Sequence, residues 1–306
     1  MTTSTATVTR PRRRILSRGD RVFQIAVAII LAAIVFATLY PLWFVLIASI
    51  SDPRLVATGQ VWLWPSGIGF GGYENIFGDE RIWNGYRNTI IYAVVGTSLN
   101  LLVTLPAAFA LSRREFRARR PLMFYFAFTM FFSGGLIPIY LLFRDLNLLD
   151  NWLVFILPTA LNVYNLIIAR AFFENSIPEE LFEAARLDGV SYFGYFIRIV
   201  LPLSKAIIAV IGLYYLVQHW NDFFTGLVFV RDYALQPLQI VLRDILLSNQ
   251  ALSGQGGSAG GGAYNQDYAE QIKYGVIIVS TLPVLFVYPF LQKYFEKGVM
   301  IGSVKA

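Results

Sequence analysis

Six stretches of about twenty apolar residues, separated by charged or aromatic segments, constrain this chain more than any other feature. A helix rises about 1.5 Å per residue, so about 20 residues cross a hydrocarbon layer of about 30 Å with their backbone polar groups paired internally. The stretches are 22–50, 88–111, 122–143, 152–173, 203–224 and 273–294. The 306-residue chain is 56% apolar and 14% charged, against about 25% charged in soluble domains. These features predict an all-α membrane protein with about six transmembrane helices. A basic tail covers 1–21, a transmembrane domain 22–295 and a second tail 296–306. The first stretch follows an arginine-rich start, but it exceeds the 7–15 apolar residues of a signal peptide and reads as an uncleaved helix.

Charge gives the expected direction. With a cytoplasmic N-terminus, 18 of the 25 Lys and Arg residues fall on the inside, among them Arg10, Arg12, Arg13 and Arg14 and the cluster Arg113, Arg114, Arg117, Arg119 and Arg120. That asymmetry follows the positive-inside rule, so both termini are expected in the cytoplasm of a multi-pass plasma membrane protein. Although the net charge is +6, the basic residues lie between apolar runs and form no single polar face, which argues against nucleic acid as a partner. The absence of cysteine and the single histidine, His219, exclude thiolate sites and a multi-histidine metal centre. Trp43, Trp62, Trp64, Trp83 and Trp152 fall where headgroup anchors are expected. Prolines 41, 106, 138, 158, 283 and 289 lie inside the stretches, where a missing N–H tends to bend a helix.

Two outer loops are expected, 51–87 and about 225–272, the second holding a flexible glycine and serine tract at about 248–266. That tract is no phosphate cradle, because no Gly-Lys pair occurs anywhere in the chain. The expectation is that the chain binds no cofactor, and that any ATP and magnesium belong to another subunit.

The segment 175–202, NSIPEELFEAARLDGVSYFGYFIRIVLP, is too polar for a span and too regular for a linker. Pro178, Glu179 and Glu180 suit a helix start, Arg186 its negative end and Gly189 its stop. Glu179, Phe182, Glu183 and Arg186 share one face at helical spacing, with Ala184 and Ala185 keeping the neighbouring strip small. A second amphipathic helix follows, running to Pro202. Two interfacial helices in the headgroup plane would carry the same pattern.

Glu183-Ala184-Ala185, Asp188-Gly189 and then Ile199-Val200-Leu201-Pro202 resemble the EAA loop of ATP-binding cassette (ABC) import permeases in every fixed position. FFSGGLIPIYLLFRDLNLLDN at 131–151, HWNDFF at 219–224 and YALQPLQIVLRDIL at 233–246 narrow the resemblance to type I, maltose permease-like carbohydrate importers, and to their LplC-like and YtcP-like polysaccharide and oligosaccharide branch. The resemblance implies a binding-protein-dependent permease without catalytic residues. Its expected partners are a second homologous permease, a cytoplasmic ATPase dimer and an extracellular sugar-binding protein. It implies that Glu179, Phe182, Glu183, Ala184, Ala185, Arg186, Asp188 and Gly189 form the ATPase-coupling element. Glu183 would face the ATPase and Gly189 would provide the bend. The tail residues Gly298, Gly302 and Lys305 would approach the same interface.

For the substrate pathway, the fifth stretch offers Tyr214, Gln218 and Asn221 at i, i+4 and i+7, with Tyr215, His219 and Asp222 on the adjacent stripe. The fourth adds Asn162, Tyr164 and Asn165. Such groups avoid lipid and face protein or a wet cavity. They can hydrogen-bond a sugar or simply join helix to helix. Two other functions compete. An ion-coupled secondary transporter needs an intramembrane ionisable site, usually with inverted repeats, and a membrane enzyme needs clustered acids, bases or metal ligands within the spans. The sequence offers no clear instance of either.

Overall fold

The structure, a computed structural model, describes residues 18–254, 272–286 and 289. Among these, regular structure is helical throughout. We label the main helices α1 (Arg18–Ser49), α2 (Glu80–Ser112), α3 (Arg119–Phe131), α4 (Leu136–Asp145), α5 (Val163–Ser176), α6 (Glu179–Leu187), α7 (Tyr192–Leu203), α8 (Lys205–Trp220), α9 (Leu238–Gly254) and α10 (Ile272–Phe286). By length and apolarity α1 and α2 can each cross a membrane alone; the pairs α3–α4 and α7–α8 do so when each is counted as one bent span.

α2 is the post around which the others pack. Asp79 caps its start by accepting a hydrogen bond from the Arg81 N–H at 2.9 Å, which explains why the helix begins at Glu80 rather than at 88. α5, α8 and α9 all pack against it. Asn88 Nδ2 donates to the carbonyls of Ala234 and Gln236, the Tyr92 hydroxyl to that of Leu235, and the Leu238 N–H to Thr89 Oγ1 at 2.8 Å. α10 is tied in by Tyr86, whose hydroxyl donates to the Val279 carbonyl at 2.6 Å, and by Trp220, whose indole N–H donates to that of Ser280 at 2.9 Å. α1, by contrast, buries only Ile47, Ala48 and Ser49. An apolar helix this exposed has lipid or a neighbouring subunit as its surroundings.

Several expected spans are not single helices. The stretch 122–143 turns through 113° between α3 and α4. Gly135 sits at φ +83° and its N–H reaches Ser133 Oγ at 3.3 Å, while Pro138 falls in the first turn of α4, where no N–H is required. The stretch 152–173 opens as a 3₁₀ turn, Trp152–Phe155, and becomes α-helical only at Val163. α7 contains a π turn, Phe196–Val200, and meets α8 at 83° across Ser204. The segment 225–272, expected as an outer loop, is not one long loop: helices Phe224–Phe229 and Leu238–Gly254 occupy much of it. The glycine tract from 255 on, residues 1–17, the second tail and the end of the sixth stretch lie outside the described residues, while 18–21, expected in the basic tail, open α1.

One apolar core joins the part of the molecule nearest the 175–202 segment. Phe109 of α2, Phe173 of α5, Phe182 of α6, Tyr195 of α7 and Tyr215 of α8 belong to a single buried cluster.

Candidate functional site

α6 forms where the sequence places it. Pro178 precedes it, Glu179 and Glu180 occupy the first turn and Arg186 the last, each on the side the helix dipole favours. At the other end Gly189 adopts φ +72°. Its N–H bonds to the Arg186 carbonyl at 3.1 Å and that of Val190 to Ala185 at 2.9 Å. These two bonds make a Schellman stop, which satisfies carbonyls that the helix end would otherwise leave open. A side chain at 189 would strain that conformation.

The face assignment needs one correction. Glu179, Glu183, Ala184, Arg186, Asp188 and Gly189 are exposed, but Phe182 and Ala185 are 5% and 4% exposed and point into the core. At about 100° per residue, Phe182 sits at the edge of the arc holding Glu179, Glu183 and Arg186, and Ala185 lies about 60° beyond it, away from that arc. The two form the inward seam. Two apolar side chains are also exposed: Leu187 (89%) at the end of α6, not singled out from the sequence, and Phe193 (75%) of the second amphipathic helix. Only its apolarity next to a polar loop could have marked Leu187.

The seam fixes the loop to the membrane helices. The Phe182 ring lies 5.1 Å from that of Tyr192 and 5.3 Å from that of Tyr195, centroid to centroid. Phe109 of α2 lies 5.0 Å from Phe196 of α7. Between them sits Arg113, its guanidinium 5.5 Å from the Phe109 centroid and 5.4 Å from that of Phe182. Arg113 was legible only as one of a cluster of topological charges. In the structure it is 6% exposed. α6 therefore belongs to a packed body continuous with α2, α5 and α8.

The pathway residues divide into two groups. Tyr215 and His219 are buried where α8 meets α2. The Tyr215 hydroxyl lies 2.7 Å from Thr104 Oγ1 and accepts the Asn162 N–H at 3.0 Å. His219 Nε2 lies 2.7 Å from Asn100 Oδ1, an acceptor, so the ring nitrogen donates; Asn100 Nδ2 donates to the Thr159 carbonyl. Asn162 caps α5, its side chain accepting the Asn165 N–H at 3.2 Å, and Asn165 is 3% exposed. These groups hold helices together. Tyr164, Tyr214, Gln218 and Asn221 are exposed instead. Asn221 Nδ2 also donates back to the Val217 carbonyl at 2.9 Å. No group of three or more His, Cys, Asp or Glu able to hold a metal occurs among the described residues.

Apolar helices long enough to span a bilayer, two bent helix pairs and a polar loop helix seated on their common core mark an integral membrane protein. The chain belongs to the family described as binding-protein-dependent transport system inner membrane component, which matches residues 82–301. It is 38% identical over 286 residues to the polygalacturonan/rhamnogalacturonan transport system permease protein YtcP of Bacillus subtilis, covering 94% of this chain and 99% of that protein. Protein LplC of the same organism is 39% identical over 290 residues, covering 94% and 97%. Among solved structures, a bacterial ABC transporter involved in the import of the acidic polysaccharide alginate contains a chain that superposes with a TM-score of 0.82 at 35% identity. The match covers 92% of this chain and 100% of that one. The chain is thus a permease of the ABC importer type, with the type I importer fold.

Proposed function

We propose that this permease lines, with a second homologous permease, the route of a poly- or oligosaccharide fragment through the plasma membrane, and that α6 transmits the work of a separate ATPase dimer to it. The observation that carries the reading is the division of α6 into an exposed acidic face and a seam, Phe182 and Ala185, locked into the core of α2, α5, α7 and α8. A helix built this way offers a partner a surface and gives the membrane helices a rigid handle. The 83° corner between α7 and α8 would convert a shift of the loop into a tilt of α8, which presents Tyr214 and Gln218 on its open side.

The cargo class rests on the relatives, whose names specify polygalacturonan, rhamnogalacturonan and alginate. Hydroxyl and amide groups such as those of Tyr214, Gln218 and Asn221 suit sugar hydroxyls. ATP and magnesium belong to the partner, a binding protein delivers the sugar outside, and both termini face the cytoplasm. Glu183→Lys tests the reading. The variant should reach the membrane at wild-type level and assemble with its partners, yet lose sugar-stimulated ATP hydrolysis in nanodiscs. Wild-type stimulation in a fully assembled Glu183→Lys complex would overturn it.

A further inference from the structure

The connection from α1 to α2 contains a long run without charge. No Asp, Glu, Lys, Arg or His occurs between Arg54 and Glu74, the residue types that most often meet water. The run is nevertheless folded. The Asp52 N–H donates to the Ser66 carbonyl at 2.9 Å, the Gly69 N–H to the Ile50 carbonyl at 3.0 Å and the Ser66 N–H to Ser51 Oγ at 3.2 Å. These bonds close a loop whose inner side chains, Val56 and Val61, pack with Ile47 and Ala48 of α1. Outward it shows Trp62, Leu63, Trp64, Ile68 and Phe70. The Trp62 indole N–H is already engaged, donating to the Gly59 carbonyl.

α1 sets the level at which this apolar patch stands. Trp43, itself exposed, donates its indole N–H to the Leu63 carbonyl at 2.9 Å, so the patch lies beside that turn of the helix. Arg21 is the last charged residue of α1 before its apolar run. From Val22 to Trp43 the helix rises about 32 Å, close to the hydrocarbon thickness of about 30 Å. Leu63 and its neighbours therefore stand at the far boundary of the hydrocarbon from Arg21.

We propose that residues 61–70 lie in the headgroup layer of the bilayer, with Trp62, Leu63, Trp64, Ile68 and Phe70 toward the acyl boundary, as an interfacial foot that holds the end of α1 and the approach to α2 at the membrane surface. Three features favour lipid over a protein partner or a glycan. The patch continues the exposed apolar side of α1 through Trp43. It carries no charge that a protein or an acidic glycan could complement. Its indoles join an apolar body to a polar edge, the chemistry that prefers the headgroup level. Irregular backbone is tolerated there because water still reaches it, whereas deeper in the hydrocarbon it is not. Neither the cargo nor the direction of the chain in the membrane enters this placement.

The test uses the full chain with the subunits that co-purify with it, in phosphatidylcholine nanodiscs. Trp64→Cys, Ile68→Cys and, for comparison, the exposed Glu74→Cys are introduced singly into this cysteine-free chain and labelled with bimane. Fluorescence at 64 and 68 should be quenched by a phospholipid spin-labelled at its headgroup and largely spared by aqueous iodide, whereas iodide should quench position 74 strongly. Ile68→Cys keeps both indoles, so it reads the depth of the segment even if Trp64→Cys fails to assemble. Iodide quenching at 68 as strong as at 74 overturns the proposal. Protection from iodide without quenching by the labelled lipid also overturns it, because another subunit would then cover the segment. So does protection that appears only when a sugar-binding protein or its glycan is added, which would make the patch a docking surface for that partner.

Discussion

α6 and α8 both carry polar residues at helical spacing, and they use them in opposite ways. In α6 the acids and Arg186 face outward while Phe182 and Ala185 anchor the helix. In α8 Tyr215 and His219 turn inward and are hydrogen-bonded to Thr104 and Asn100 of α2, while Tyr214 and Gln218 stay open. A helix at a water boundary can leave charges unpaired, because solvent or a partner subunit completes them. A helix in hydrocarbon cannot, so its polar groups are paired across helices or face a cavity. The same chemical alphabet therefore lies open in one place and joins helices in the other.

The sharpest way to break the contrast is to remove the anchor of α6. Phe182→Ala takes away a buried ring touching Tyr192, Tyr195 and Arg113; such changes cost about 3–5 kcal/mol in soluble cores. The expected outcome is loss of folded, assembled protein, measured by size-exclusion chromatography and thermal melting. Glu183→Lys on the outer face should leave both unchanged. Equal melting of the two variants would erase the distinction between seam and face.

The next effect comes from α2 against α8. A Cβ at Gly96 would stand 2.6 Å from His219 Cε1, and the ring is hydrogen-bonded and buried. Gly96→Ala should therefore destabilise by about 1–3 kcal/mol, the usual cost of overpacking. His219→Ala removes that clash at its own cost of a cavity and an unpaired Asn100 Oδ1, so adding Gly96→Ala to His219→Ala should cost far less than it does in the wild type. Full additivity of the two changes would mean that another contact opposes a side chain at 96.

These two positions also show what could be read in advance. The stop at Gly189 was legible because a glycine after a short acidic-to-basic helix has few other uses. The inward turn of Phe182 was not, because its angular position fits either the arc of Glu179 and Glu183 or the apolar side, and only the presence of Phe109 and Tyr195 decides. The segments that could be helix were legible from apolar length. Their breaks were less so: Pro138 gave a hint, but the 113° corner depends on Gly135 taking a positive φ. The split of the pathway residues depends on partners more than 50 positions away in sequence, such as Tyr215 with Asn162 and Thr104, and no local pattern encodes that.

Tyr215→Phe and Tyr214→Phe then separate assembly from pathway within one helix. Removing the Tyr215 hydroxyl leaves the Asn162 N–H without its partner, at a cost of about 1–3 kcal/mol if the group stays dry. Tyr214→Phe should leave stability within about 0.5 kcal/mol, since exposed positions tolerate such changes, and should show its effect in the sugar concentration dependence of transport. The reverse pattern would exchange the two stripes.

The smallest effect belongs to a third arrangement, at the start of α2, where an exposed acid caps its own helix. Asp79 caps the helix through the Arg81 N–H and pairs with the Arg81 side chain, Nη2 to Oδ2 at 2.6 Å. The guanidinium beside it holds the carboxyl below its ordinary value of 3.8. A carboxyl depressed on folding stabilises fully above that ordinary value, and the contribution fades as pH falls through the lower folded value. The Arg81 side chain is 59% exposed, and solvent screening limits such pairs to about 0–1 kcal/mol. Asp79→Asn keeps a capping oxygen and loses only the pair, whereas Asp79→Ala loses both, for about 0.5–2 kcal/mol from the cap. Thermal melting at neutral pH should rank wild type, Asn and Ala in that order with narrow spacing, and the wild-type advantage over Asn should vanish below the carboxylate range. Neither variant should impair transport as Glu183→Lys does. If Asp79→Asn abolished transport at full assembly, this corner would be a docking surface as proposed for α6, and exposure of charge would no longer distinguish α6 from the rest of the molecule.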